Sequence, residues 1–278
     1  MRNLKIFILM ICGLTAMASG AFADSQPALV VTPEKVSAEV QPGQKAKGKV
    51  TISNNGDIPI NLKVSARDVK LLDETGRVEF YIKDTDSVSQ WIVPEFLKVN
   101  LAPRSSKDIN YLITVPKNAT NKGYDGAIVF SKTDGDAVGP ENDFGQLIFI
   151  NVRAADNINP SPKILDFSIP RIQTRLPSDL SLRVKNASAN NIIIDGTISI
   201  KNWKGVDIET TEVKNLIVFP KATNLFKWSW KKSHELFGLY RAEISLNIPN
   251  GKPVREDSWF LSLPFPPLEK LMDFFKKI

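Results

Sequence analysis

The chain has 278 residues, with 36 Lys and Arg against 30 Asp and Glu, and a formal net charge of +6. It holds one cysteine and one histidine, too few for a disulfide-stapled fold or a Cys/His zinc site, each of which needs several ligands converging. Neither a Walker loop nor a dinucleotide fingerprint occurs, so nucleotide chemistry of those kinds has no residues to carry it.

Arg2 and Lys5 open the chain, an apolar run from Ile6 to about Met17 follows, and Ala21-Phe22-Ala23 frames a cleavage point with small residues. This is the layout of a secretory signal. Residues 1–23 are read as the signal and Asp24 as the first mature residue. The apolar run is shorter than the roughly 20 residues a membrane-crossing helix needs. Cys12 falls inside it, after Ile11 where a lipid-attachment site wants a small residue. An exported chain without disulfides must be held by hydrophobic burial.

The mature length suggests two domains, 24–155 and 156–263, followed by 264–278. The first carries 16 basic and 17 acidic residues, whereas 156–278 carries 18 and 13, so the positive excess belongs to the second half. Such an excess is either an ordinary solvated surface or a face for envelope polyanions, lipid headgroups or an acidic partner.

Short alternating apolar runs broken by Pro, Gly, Asn and Asp predict half-buried strands. In the first half these are Ala28–Thr32, Val36–Val40, Lys45–Ser53, Ile58–Val69, Val69–Leu72, Arg77–Ile82, Ser89–Pro94, Val99–Leu101, Ile109–Val115, Gly126–Phe130 and Gly145–Val152. Gln41-Pro-Gly43 and Asn54-Asn-Gly56 are turns, and Asp73-Glu-Thr-Gly76 closes a hairpin. Trp91 is expected as a core anchor. Thr133–Asp143 reads as a polar loop and Asn157–Pro162 as the linker. The second half predicts Lys163–Ile169, Leu180–Lys185, Ile192–Lys201, Val213–Phe219, Leu225–Trp230, Gly238–Ile248 and Ser258–Leu263. Two tandem all-β immunoglobulin-like sandwiches account for this pattern. A weak internal repeat supports the pairing: Val50-Thr-Ile-Ser-Asn54 with Pro103 and Gly123-Tyr124 is echoed by Leu182-Arg-Val-Lys-Asn186 with Pro220 and Gly238-Leu-Tyr240. After Pro264-Phe-Pro-Pro267, the residues Leu268, Leu271, Met272, Phe275 and Ile278 fall at helical spacing and predict a short C-terminal amphipathic helix. It has three possible seats: its own domain, a membrane interface, or a partner's groove.

Candidate chemistry is sparse. Ser233-His234-Glu235 has triad residue types, but chain neighbours do not form a triad by adjacency, and an exposed turn is the simpler reading. Asp134, Asp136, Glu141 and Asp143 offer oxygen ligands without the spacing of an EF-hand. Asp84 and Asp86, if on a strand, share a face, which alone says little about glycoside hydrolysis. Phe226, Trp228 and Trp230 alternate with Lys227, Ser229 and Lys231, giving either a sandwich core or an aromatic platform for sugars or peptides. Asn118-Ala-Thr120 and Asn186-Ala-Ser188 match glycosylation sequons. No catalytic, cofactor-binding or metal residue is assigned, no cofactor is expected, and binding residues stay unassigned.

Val31-Thr-Pro33, Gln41-Pro-Gly43, Val50-Thr-Ile-Ser-Asn54, Trp91, Leu101-Ala-Pro103, Val115-Pro116 with Ala119, and Gly123-Tyr-Asp-Gly-Ala-Ile128 together resemble the first domain of the WxL-interacting family of bacterial cell-surface proteins. That resemblance implies a peptidoglycan-binding-type immunoglobulin-like domain, followed by a second one that engages a surface protein. Relatives in that family usually finish with a transmembrane helix and basic tail, from which this chain departs. More distantly, the chain resembles periplasmic pilus-assembly chaperones, two immunoglobulin-like domains that present an edge strand to a subunit. The expectation is a non-enzymatic envelope-binding protein, at the cell surface or in the periplasm, engaging wall glycan or an envelope protein. The alternative is the assembly chaperone. Nucleic acid is not an expected partner, and the C-terminal helix offers a peripheral membrane contact.

Overall fold

Period-two burial runs along most of the chain: in Ser178–Asn186 every even-numbered side chain is buried and the odd-numbered ones are not. That is the mark of strands with one face on a core. The computed structural model describes residues 29–133, 143–153, 162–174, 178–230, 237–248 and 252–263. The signal, most of the 133–143 loop, the start of the linker, Ser233-His234-Glu235 and the C-terminal amphipathic segment lie outside the described residues.

The first sandwich is built from β1 (Leu29–Thr32), β2 (Lys35–Val40), β3 (Lys45–Asn54), β4 (Ile60–Leu71), β5 (Val78–Tyr81), β6 (Ile92–Pro94), β7 (Lys98–Leu101), β8 (Ser105–Thr114), β9 (Gly123–Lys132) and β10 (Asp143–Val152). One sheet has the order β1-β3-β8-β6, and the other β2-β10-β9-β4-β5, with β7 also on β4. The second sandwich uses β11 (Pro162–Ser168), β12 (Ile172–Gln173), β13 (Ser178–Asn186), β14 (Ile192–Asn202), β15 (Asp207–Val218), β16 (Thr223–Trp230), β17 (Gly238–Asn247) and β18 (Val254–Ser262). Its sheets run β11-β13-β16 and β12-β18-β17-β14-β15.

The two sandwiches repeat one topology. In each, the first strand is broken in two, its opening half antiparallel in one sheet and its second half crossing over to lie parallel to the last strand: β2 on β10 and β12 on β18. In the first sandwich the crossover falls at Pro33, which has no N–H to extend the ladder with β3. The sequence echo at Asn54 and Asn186 has a structural counterpart. Each ends the second strand of its sandwich and is buried. Asn54 donates to the carbonyls of Ile58 and Ala102 and accepts from the N–H of Gly56. Asn186 donates to those of Asn190 and Val218 and accepts from the N–H of Ser188.

Each core lies between its two sheets. Val50, Ile52, Ile109 and Ile113 face Val64, Ile128, Phe130, Ile148 and Ile150 in the first; Leu182 and Val184 face Ile194, Ala242, Ile244 and Leu246 in the second. Each such aliphatic side chain contributes about 1.5–3 kcal/mol by leaving water. Gly48 lies under the Tyr111 ring, where an added Cβ would meet ring atoms at 2.1 Å, so only glycine leaves room for that tyrosine.

Several expectations need correction. Ile58–Val69 and Val69–Leu72 are one twelve-residue strand, β4. Ser89–Pro94 is not a strand throughout: a 3-10 turn over Val88–Gln90 precedes β6, and Trp91 follows that turn, buried and 4.5 Å from the Tyr124 ring. Asp84 and Asp86 lie in an exposed bend between β5 and that turn, Asp86 with φ 53°, so they share no strand face. The two-residue strand β12 and the polar first half of β15 had no period-two apolar signal. Among the described residues no helix is long and apolar enough to cross a membrane.

Candidate binding edge and the junction between sandwiches

β9 breaks the alternation: Gly126, Ala127, Ile128, Val129 and Phe130 are all buried. One face supplies the first core and the other packs on the second sandwich. There Val69, Ala127, Val129 and Phe149 meet Ile217 and Phe219, and the rings of Phe149 and Phe219 stand edge to face at 5.2 Å and 79°. The consecutive apolar residues Gly126–Phe130, Leu147–Ile150 and Leu216–Phe219 are the sequence trace of this two-sided burial. By sequence they predict core strands and no more, because a single sequence does not say what covers a second face.

Polar groups fasten the same junction. Asn151 and Asn191 exchange bonds across it, Asn151 Nδ2–H to the Asn191 carbonyl and Asn191 N–H to Asn151 Oδ1, both at 3.0 Å. Gly123 N–H donates to the Ala189 carbonyl at 2.8 Å, and a Cβ at Gly123 would crowd the Asn191 backbone nitrogen at 2.8 Å, so the close approach requires glycine. At the far side, the tip of the β4–β5 hairpin reaches the second sandwich. Arg183 grips Glu74 bidentately, at 2.8 and 2.7 Å, and the Glu74 carbonyl accepts from Leu225 N–H. The Arg183 hydrogen bonds hold the Glu74 carboxyl below its ordinary range. Beside it, hydrogen bonds from Thr75 and then Arg77 draw Asp73 down to about 2.

Asp125 accepts from Asn191 Nδ2–H at 2.7 Å inside the junction, and desolvation, only partly offset by that bond, pushes its carboxyl up to about 6. An aspartate with a raised pKa favours the folded state while protonated. Its contribution is fully present below about pH 4 and is lost as pH rises through about 6. Asp125→Asn should therefore raise stability at pH 7 by about 1–2 kcal/mol, with partial solvent access taking some of the full linkage value. It should also flatten the pH dependence of urea unfolding between pH 4 and 7; an unchanged slope there would refute this.

Beyond the junction, β10 presents an edge. β2 pairs with it only from Leu147 to Val152. Leu147 N–H points out to the Glu34 carbonyl, so by strand alternation the N–H and C=O of Asp143 and Gly145 point out as well, past the start of β2. β9 occupies the other side of β10 throughout Asp143–Asn151. The remaining candidates resolve differently. Asp143 starts β10, whereas Asp134, Asp136 and Glu141 lie outside the described residues. Among the described residues no three His, Cys, Asp or Glu side chains cluster as a metal site. Trp230 is core: buried, donating Nε1–H to Glu209 at 2.9 Å and edge-on to Phe260. Phe226 and Trp228 stack at 6.2 Å, half-buried, and Trp228 lines a shallow recess of about 300 Å³ with Ile198, Ile200 and Thr211. The Asn186 sequon has its side-chain amide committed to two buried carbonyls and is structural.

No family model and no curated protein matches the chain, so the resemblance to the WxL-interacting family gains no support from them. Solved structures that match include the Pseudomonas aeruginosa CupB2 chaperone, at 10% identity and TM-score 0.39 over 84% of this chain and all of that one. The class 5 fimbriae chaperone CfaA matches at 13% and 0.38, over 85% and 100%. The Acinetobacter baumannii CsuC–CsuE chaperone–tip adhesin assembly matches at 10% and 0.38, over 84% and 98%. At these scores the likeness carries nothing about partner or activity.

Proposed function

We propose that this chain is an exported, non-enzymatic binding protein of the cell envelope that holds another protein by strand addition along β10, in the manner of an assembly chaperone. The observation behind this reading is the late start of β2, which first pairs with β10 at Leu147 and leaves the outward hydrogen-bonding groups of Asp143 and Gly145 uncovered by any described strand. An added strand gains main-chain hydrogen bonds there, and alternate side-chain pockets supply selectivity. The interlocked junction supports the same role, because a preorganised edge loses less freedom on binding.

A photo-crosslinking residue at Phe144 in the exported protein should capture an envelope protein. Asp143→Pro should abolish that capture, since proline removes an outward N–H at the first residue of a strand without costing the β9 ladder. Its thermal stability should stay within about 0.5 kcal/mol of the parent. Capture that persists in Asp143→Pro would overturn the edge reading. Sedimentation with purified peptidoglycan in the absence of any crosslinked protein would return the wall-binding reading instead.

A further inference from the structure

On one side of the junction the polar fastenings converge on 189–191, the end of the loop between β13 and β14. Asn191 N–H donates to Asn151 Oδ1, its carbonyl accepts from Asn151 Nδ2–H, and its side-chain Nδ2–H donates to Asp125 Oδ1. One atom is left over: Asn191 Oδ1 is buried and accepts no hydrogen bond from any described residue. A buried amide oxygen without a donor is costly and calls for an explanation. Asp125, already bonded to the same amide, becomes a donor once it carries a proton. Amide and carboxyl heads are both flat, with two heteroatoms on one carbon. A protonated Asp125 can therefore receive Nδ2–H at Oδ1 and give Oδ2–H to Asn191 Oδ1, closing a cyclic pair. The carboxylate has no hydrogen to give and sets oxygen against oxygen.

Asp125 lines a cleft of about 300 Å³ between the sandwiches on this side. On β4 the Asp68 carboxylate is held by the N–H groups of Lys83 and Val88 and by the Ser87 hydroxyl. On β5 the Tyr81 phenol is raised by burial first, then by the charges of Asp68, Asp125 and Glu79. Lys83 and Asp86 face the cleft from the bend after β5, Lys122 from just before β9, and Lys221 from the second sandwich. Lys122 Nζ lies 4.8 Å from the Tyr124 ring centre and Lys221 Nζ donates to the Ala187 carbonyl, so both are engaged elsewhere. Among the described residues no ammonium pairs with Asp125, and burial outweighs the Asn191 bond in setting its carboxyl.

We propose that a proton on Asp125 latches the two sandwiches by closing the acid–amide pair with Asn191, and that its loss lets this side of the junction open. The opposite side is the pivot, where Arg183 holds the Glu74 carboxylate and Leu225 N–H the Glu74 carbonyl. Opening widens the cleft between Asp125, Tyr81 and Lys122 on one wall and Ala189, Pro220 and Lys221 on the other. The sign follows from the carboxyl being raised to about 6 in the closed form. Closure gains from the proton in full below about pH 4, and that gain is lost as pH rises through about 6. With an ordinary aspartate in the open form, the ratio of closed to open falls about tenfold per pH unit across that window, about 100-fold in all. This inference is independent of the β10 edge.

The test is amide hydrogen exchange of the full mature chain between pH 4 and 7, because exchange detects an open form even when it is rare. Gly123 N–H and Asn191 N–H both bond across the junction. Their protection, taken relative to the intrinsic rate at each pH, should fall about 100-fold over that range. The amides that join β3 to β8, and Leu225 N–H at the pivot, should keep theirs. Asp125→Asn closes the same pair without a proton, so Gly123 and Asn191 should stay protected throughout. Asp125→Ala removes the partner, and their protection should be low and independent of pH. Four outcomes overturn the proposal: unchanged protection in the parent chain; an equal fall in the β3–β8 amides, which would be global unfolding; the parent's pH dependence retained in Asp125→Asn; or Asp125→Ala as well protected as Asp125→Asn, which would make burial of the charge the whole effect.

Discussion

Phe219→Ala should lower the free energy of unfolding by about 3–4 kcal/mol, within the range for a large aromatic removed from a packed site. It should also split a single cooperative transition into two. Phe219 and Ile217 are the second sandwich's buried apolar contribution to the junction, and Phe149 loses its edge-to-face partner with them. The cavity falls between two sandwiches that each keep an intact core, so coupling between them is lost before either fold is. Differential scanning calorimetry reads both effects. A single transition with calorimetric and van't Hoff enthalpies still equal, at near-parental stability, would mean that the junction is held by its polar fastening at Asn151, Asn191 and Glu74.

Asn186→Ala should cost about 3 kcal/mol. The substitution strands the Val218 carbonyl, for which Asn186 Nδ2–H is a buried donor at 3.0 Å, and releases the Asn190 carbonyl and Ser188 N–H. Each buried polar group left without a partner costs about 1–3 kcal/mol, and those nearer solvent cost less. Asn186→Asp should be worse than alanine, because a carboxylate offers no donor to the two carbonyls and is itself buried. Asn54→Ala should do the same in the first sandwich, where the amide serves Ile58, Ala102 and Gly56. Urea titrations of the three variants check the ranking; an alanine variant within about 0.5 kcal/mol of the parent would show that water replaces the amide.

Particular residues show how much was legible beforehand. In Lys45–Ser53 the set Ala46, Gly48, Val50 and Ile52 lies toward the core as its spacing required, since a strand turns alternate side chains to opposite faces. The Asp73–Gly76 turn closes a hairpin as expected, yet nothing in its sequence said that Glu74 would reach across to Arg183, 109 positions away. Trp91 is in the core, but from the end of a 3-10 turn, because local hydrogen bonding between Trp91 N–H and the Val88 carbonyl overrode the strand preference around it. Phe226, Trp228 and Trp230 obey period two while only Trp230 is fully buried. Their strand, β16, is an edge, and an edge leaves part of its inner face uncovered.

The sequence by itself determined an all-β chain of short amphipathic strands, its turns and the paired asparagines. These are local matters, set by alternation, turn chemistry and composition within a few residues. Only the tertiary structure decided that β2 joins β10 no earlier than Leu147, that Phe149 meets Phe219, that Asp125 is desolvated against Asn191, and that Ile172, Leu239 and Trp203 line up on one rim. Each depends on which strands become neighbours, and pairing between residues tens of positions apart is a property of the closed sheets that no short window of sequence contains.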